Sequence, residues 1–224
     1  MRLLLIRHGQ TPNNVAGALD TAYPGAGLTP LGNVQAAAIP RVLADESIGG
    51  IYASVLTRTQ LTAAPLARAT DVGIQIIDGV HEIPAGDFEM RNDHEAVGAY
   101  VGALRRWSEG DMAFALSGGE SGHDFFARYD AAIDRVASEN ADGTAVVVSH
   151  GAAIRVWAAG RAINVEPQQA VQRGLHNTGL FALEGDPERG WTLVNWHEEP
   201  LGGLDLEDPA AHDVTGETAA ESTA

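Results

Sequence analysis

This 224-residue chain predicts an α/β three-layer sandwich: a mostly parallel central sheet with helices on both faces. Three observations point there. Strand-like and helix-like segments alternate through the N-terminal third, the pattern that parallel strands and crossover helices produce. The apolar runs "LLLI" (3–6) and "AVVV" (145–148) are continuous, as in strands buried on both faces. Hydrophobic residues make up 45% of the chain, the globular norm, and the length suffices for one sizeable core or two small domains.

Taken in order, "RLLLIR" (2–7) is a strand. "LTPLGNVQAAAIPRVLADE" (28–46) is a helix with Thr29 as N-cap and Pro30 at its first position. Pro40 lies inside it and should kink or break it. "GGIYAS" (49–54) and "VGIQIID" (72–78) are strands on either side of a helix over 56–70. "HEIPAGDFEMRN" (81–92) carries Pro, Gly and charges and reads as a loop. Helices follow over 93–109 and 123–139, separated by the turn "LSGGESG" (116–122). "GTAVVVSHGAAIRVWAAG" (143–160) is a strand, a tight turn and a helix. "NTGLFALEG" (177–185) and "GWTLVNWHEE" (190–199) are late strands. No internal repeat is visible. Residues 1–200 form the domain. Residues 201–224 hold six acids, no Arg and no aromatic, a composition that predicts a disordered acidic tail.

Composition narrows the chemistry. The formal charge is −16 with a pI near 4.7, which argues against nucleic acid and anionic membranes as partners. Any anion site must then be a local cluster of donors. All 14 basic positions are Arg. Without lysine there is no Walker A loop and no Schiff base. Without cysteine there are no disulfides, thiolate nucleophiles or Cys-based metal sites. No signal peptide and no membrane span are visible, so a cytoplasmic location is the expectation.

In a parallel sheet, binding groups gather at the carboxyl ends of strands. Two strands here end alike: the first runs into Arg7-His8-Gly9 and the later one into His150-Gly151. Both histidines belong on one rim. A lone histidine at a strand end is usually structural; a matched pair is harder to dismiss. Arg58 opens the helix after the second strand and should face the same rim. A guanidinium meets phosphate oxygens in a bidentate fork. Glu82 follows the third strand; alone it is a solvated charge, but on this rim it is a candidate general acid whose pKa burial would raise.

These segments resemble the histidine phosphatase superfamily, the phosphoglycerate mutase-like proteins. "RHGQTPNN" (7–14) is similar to that family's opening motif, "ASVLTRTQLTA" (53–63) to its second arginine segment, and "HEIPAGDFE" (81–89) to its acid loop. "GGES" (118–121) is similar to a recurrent turn, and "VVVSHGAAIR" (146–155) to its second histidine motif. They occur in family order and cover about residues 2–197. The resemblance implies that His8 is the nucleophile and forms a phosphohistidine. It implies that Arg7, Asn14, Arg58, His150 and Gly151 hold phosphate, that Glu82 is the proton donor, and that neither metal nor cofactor takes part. It implies a phosphomonoesterase acting on a small phosphorylated metabolite. A mutase-type isomerase is the alternative, disfavoured by the short interval between Glu82 and His150; a non-catalytic phospho-ligand-binding member is a third reading. One departure stands out: the family's loop often continues Glu-Gly, where this chain has Glu89-Met90-Arg91, and Arg91 is a candidate substrate contact. The apolar residues Phe88, Met90, Tyr100, Trp107, Met112 and Phe114 are candidates for core or lid. Asn177 is a candidate support for the site, and a homodimer is open.

Overall fold

Alternation along the first strand decides where the layers lie. In β1 (Arg2–Arg7), Leu3 and Leu5 enter one core and Leu4 and Ile6 the other. The same split recurs in β4 (Thr144–Ser149), where Ala145 and Val147 face one side and Val146 and Val148 the other. Successive side chains of a strand point to opposite faces, so a strand apolar throughout must be covered twice. One cover is α2 (Pro30–Val42) with α3 (Thr57–Thr70). The other is α4 (His94–Ser108), α5 (Gly122–Glu139) and α6 (Gly151–Arg161).

The computed structural model describes residues 1–222. Among these, β1, β2 (Ile48–Ser54), β3 (Ile74–Ile77), β4, β5 (Leu180–Asp186) and β6 (Gly190–His197) form one sheet in the order β3-β2-β4-β1-β5-β6. The pairs β1–β4, β2–β4 and β2–β3 are parallel; β5 and β6 join antiparallel. The expected three-layer, mostly parallel architecture is the one observed. Short helices α1 (Pro12–Val15), α7 (Gln169–Gln172) and α8 (Ala219–Ser222) decorate it.

Local signals act as expected at the helix starts. The Thr29 hydroxyl accepts from the Gly32 N–H ahead of Pro30, Asp93 caps α4 through the Ala96 N–H, and Ser121 caps α5 through the Asp124 N–H. Pro40 does not break its helix. α2 runs through it and ends at Val42, because a proline so close to the C-terminus leaves almost nothing to interrupt. Tyr100 and Trp107 are core residues, Phe88, Met112 and Phe114 pack partly buried against them, and Met90 is exposed.

The larger departure is at the C-terminus. Residues 201–222, expected to be a disordered tail, fold back over the domain. Leu201, Val214, Thr215 and Ala219 are buried. Leu206 O accepts from Gln35 Nε2 at 2.8 Å, and Glu207 pairs with His176 Nδ1 at 3.2 Å. Acidic composition and missing aromatics describe the segment alone; the partners that order it come from the body. Residues 223–224 of that expected tail lie outside the described residues. Among the described residues no helix is long and apolar enough to cross a membrane.

The central position of β1 sets a stability test. Ile6→Ala should cost about 2–5 kcal/mol in urea unfolding, since a fully buried aliphatic side chain leaves a cavity. Ile76→Ala, on the exposed face of edge strand β3, should cost less than about 0.5 kcal/mol.

Candidate active site

β1 and β4 end side by side. Arg7 pairs with Ser149 across the ladder, and the His8 N–H donates to Ser149 O at 3.1 Å. This brings the His8 and His150 rings to 5.2 Å between centroids, inclined at 60°. The next strand, β2, ends at Ser54, whose Oγ lies 2.8 Å from His150 Nε2. Arg58 follows in the first turn of α3. His8, Arg58, Glu82 and His150 are each at most 3% exposed, and Arg7 is fully buried.

The ring of His8 is fixed by its neighbour. Nδ1 lies 2.8 Å from Gly9 O; a carbonyl can only accept, so Nδ1 carries the proton. Nε2 is then the bare nitrogen. Burial first, then the charges of Arg58 and Arg7, hold the His8 pKa well below its usual value; the hydrogen bond to Gly9 opposes this. His150 is held neutral in the same way, by burial and then by Arg58. Its Nε2 lies 2.8 Å from Ser54 Oγ, which also accepts the Leu56 N–H at 3.2 Å. Nδ1 of His150 is buried without a protein partner.

Two guanidinium groups complete the donor set. Arg7 gives Nη1 to Leu175 O at 2.9 Å, but its Nε has no partner. Arg58 gives Nη2 to Asp20 O at 2.9 Å, with the Asp20 carboxylate 3.7 Å from Nη1, and Nη1 itself makes no hydrogen bond. Asn14 presents its amide from α1; its Oδ1 accepts from the Thr11 N–H at 2.9 Å and from Asn177 Nδ2 at 3.3 Å, which fixes Nδ2 as the outward group. Asn177 also donates to His8 O at 3.2 Å, so it does support the site.

Glu82 stands at the N-terminus of α6. Its Oε1 accepts from the N–H groups of Ile83 and Ala153, each at 2.9 Å, and Oε2 accepts from Ala152 at 3.3 Å. Burial raises its pKa; the backbone donors, Arg58 and Arg7 pull the other way. The longer contact makes Oε2 the oxygen better able to carry a proton. The loop bearing Glu82 is nailed down by Arg128. That guanidinium donates to Gly79 O, His81 O and Glu82 O and is gripped by Glu120 through both carboxylate oxygens. The turn "GGES" thus supplies Glu120, the strut behind the acid loop.

The family model of the histidine phosphatase superfamily (branch 1) matches residues 3–199. The chain belongs to the histidine phosphatase superfamily. It is 33% identical over 218 residues to the glucosyl-3-phosphoglycerate phosphatase of Mycobacterium tuberculosis, covering 92% of this chain and 89% of that one. It is 30% identical over 158 residues to phosphoserine phosphatase 1 of Hydrogenobacter thermophilus, covering 69% and 73%. It also matches the M. tuberculosis protein PE_PGRS11 at 36% identity over 217 residues, spanning only 37% of that longer chain. The solved mycobacterial glucosyl-3-phosphoglycerate phosphatase with VO3 superimposes with a TM-score of 0.74 at 27% identity, covering 88% of this chain and 99% of that one.

Within this histidine phosphatase, some expected roles change. Arg91 turns away to the surface, where it pairs with Asp93 and Glu95 and is no part of the site. Met90, in place of the frequent glycine, adopts φ +62°, so the turn keeps the left-handed backbone despite the side chain. Glu89 binds the Thr21 hydroxyl and the N–H groups of Thr21 and Ala22, shaping the loop that carries Asp20 toward Arg58. Gly9 gives room to the first turn of α2, where a Cβ would meet Gly32 O; Gly151 gives room to Arg7 Nε and to Thr215 O. Ser54 was visible in sequence only as the last residue of a strand. Asp213 and Thr215, which both contact Arg7, lie in the segment expected to be disordered.

The buried histidines predict a pH effect on stability. Both have folded pKa values below the unfolded value, so the unfolded chain binds more protons once pH falls below about 6.5, and stability drops with it. Glu82, raised on folding, acts oppositely: its contribution is lost as pH rises through its folded pKa. Urea melts between pH 8 and 5 should therefore show a smaller acid-side loss in His150→Gln than in the parent chain.

Proposed function

We propose that this chain is a phosphomonoesterase that hydrolyses a small phosphorylated metabolite through a phosphohistidine on His8. One observation carries the reading. On the rim that carries His8, buried nitrogens of Arg7, Arg58 and His150 have no protein partner, and the His150 ring lies 5.2 Å from that of His8. A buried donor left unpaired costs about 1–3 kcal/mol, and folded proteins keep few of them. Donors of this kind on two arginines and a histidine fit a tetrahedral dianion.

The chemistry follows from the same atoms. His8 Nε2 attacks phosphorus in line as the bond to the ester oxygen breaks. Arg7, Arg58, Asn14 and the Nδ1–H of His150 take the equatorial oxygens as charge moves onto them. Glu82 gives its proton to the departing oxygen. As a carboxylate it then removes a proton from the water that attacks the phosphohistidine, which releases orthophosphate and restores the bare imidazole. Glu82 can serve both steps because burial and backbone donors oppose each other in setting its pKa.

A cavity of about 420 Å³ bordered by Tyr23, Leu56, His81, Pro84 and Glu89 lies beside the acid loop, lined by neighbours of Glu82 and Arg58 in sequence but by neither residue itself. Relatives named phosphoserine phosphatase 1 and glucosyl-3-phosphoglycerate phosphatase support hydrolysis over phosphoryl shuttling between positions of one molecule.

His8→Ala should abolish hydrolysis of every phosphomonoester while near-UV circular dichroism stays native; near-parent turnover would overturn the assignment. Glu82→Gln should slow alkyl phosphates by about 10²–10⁴. It should slow p-nitrophenyl phosphate far less, because that leaving group needs no proton. The alkaline limb of kcat/KM should vanish in the same variant.

A further inference from the structure

We propose that the C-terminal segment is an internal competitor for the phosphate clamp, with the Asp213 carboxylate standing where a phosphate oxygen would bind. The inference rests on reading Arg7 and Asn14 as that clamp. Both oxygens of Asp213 lie 2.6 Å from Arg7 Nη2, and Oδ1 also accepts from Asn14 Nδ2 at 3.0 Å. Thr215 Oγ1 accepts from the same Arg7 nitrogen at 3.0 Å. Asn14 Nδ2 has no competing role, because Thr11 and Asn177 fix the other end of the amide. A carboxylate and a phosphate dianion cannot share these donors; placed together, they repel.

The body is built to receive this segment. Arg155, in α6, is fully enclosed, and burial lowers its pKa to about 10, so it remains charged at neutral pH. Its guanidinium donates to Thr215 O at 3.0 Å, Glu217 O at 2.9 Å and Arg173 O at 2.8 Å. Removing the segment would strip a buried cation of two of these acceptors, which is costly. Leu175 donates its N–H to Gly216 O at 2.7 Å. Gly216 lies flat against Arg7 Nη1, where any Cβ would collide, and Gly151 lies equally close to Thr215 O. The segment itself is a tight turn, closed by Gly216 N–H to Asp213 O and by Asp213 N–H to Glu217 Oε1.

The competition is unequal by design of the donors. Asp213 engages Arg7 through Nη2 only, together with Asn14 Nδ2 and the Thr215 hydroxyl. It leaves Arg7 Nε, Arg58 Nη1 and His150 Nδ1, all buried, without partners. A phosphate dianion can satisfy all of them at once, so it displaces the carboxylate, whereas a monoanion offering two oxygens gains nothing over the resident one. Asp213 thereby sets an affinity threshold and a preference for tetrahedral dianions. Closure for 90–99% of the time would weaken apparent phosphate affinity about 10–100-fold.

The test uses the full chain and two variants, Asp213→Asn and Asp213→Ala, with orthophosphate as the probe. Calorimetry should show Asp213→Ala binding orthophosphate about 10–100-fold more tightly than the parent chain, with Asp213→Asn between them. Hydrogen exchange of the parent chain should show amides 213–217 losing protection at saturating orthophosphate. Equal or weaker phosphate binding by both variants would overturn the proposal, as would a phosphate-bound chain whose 213–217 amides stay protected. If neither the parent nor Asp213→Ala binds orthophosphate, the clamp fails and the inference goes with it. Phosphate binding with tail release but no hydrolysis of any ester would remove the phosphatase reading and leave the competitor in place.

Discussion

The parallel register between β1 and β4 is the constraint on which the site depends. It sets Arg7 opposite Ser149 and so puts two His-Gly turns at one edge, with the imidazoles within ring contact. A slip by one residue would send every side chain of β1 to the opposite face. The apolar run alone does not prevent that slip, because Leu3 and Leu5 fill one core and Leu4 and Ile6 the other; backbone bonds at the strand ends, Arg2 N–H to Gly143 O and Arg7 N–H to Gly179 O, hold the register. The backbone of His8 is pinned as well. Its N–H is held by Ser149 in β4, and its carbonyl receives the N–H of Thr178 ahead of β5. His8 is thus positioned by the middle of the sheet rather than by a mobile loop, which is how a fold fixes a reacting atom.

Rigidity of this kind makes the electrostatics affordable. Two buried guanidinium groups and two neutral imidazoles crowd one edge, and several of their N–H groups have no partner. Left to itself, such a cluster would relax by admitting water or turning side chains outward. Here each cation keeps one anchoring bond to a carbonyl: Arg7 to Leu175, Arg58 to Asp20. The anchor orients the fork, Arg7 Nη2 is taken by Asp213 and Thr215, and Arg7 Nε and Arg58 Nη1 stay without partners. Neutral histidines follow from the same crowding, since burial and the neighbouring arginines both oppose a third positive charge. The basic nitrogen of His8 is therefore kept free of a proton by burial and by the arginines beside it.

Much of this was legible in the chain, for reasons that can be named. Continuous apolar runs announce doubly covered strands, and a strand end followed by His-Gly announces a rim residue, so the sequence points to His8, His150, Arg58 and Glu82, all of which are buried in the fold. Local capping chemistry did the same for Thr29. What stayed hidden depends on long-range partners. Arg91 looked like a site residue because it adjoins the acid loop, but two carboxylates on α4 draw it outward. Glu120 reads as an ordinary turn residue, because its role runs through Arg128 in the following helix to carbonyls of the acid loop. The C-terminal segment was least legible of all. Its composition is that of a disordered chain, and its order comes from Arg7 and Arg155, remote in sequence.

The overall charge and the buried site belong to one account of selectivity. At −16, the surface repels anions, but screening confines that repulsion to about 8–10 Å at physiological salt. Electrostatic steering therefore cannot be what delivers a phosphate ester here. Affinity has to arise at contact, from donors that only a ligand of the right shape can satisfy together. Two features sharpen that requirement. The cationic cluster is buried, and low local dielectric strengthens each short-range bond there and penalises each unmade one. And the chain holds its own carboxylate on Arg7, so any ligand is measured against an anion already in place. An acidic exterior around a closed, self-occupied cationic pocket selects by geometry of the donor set, where an open basic cleft would select by charge alone.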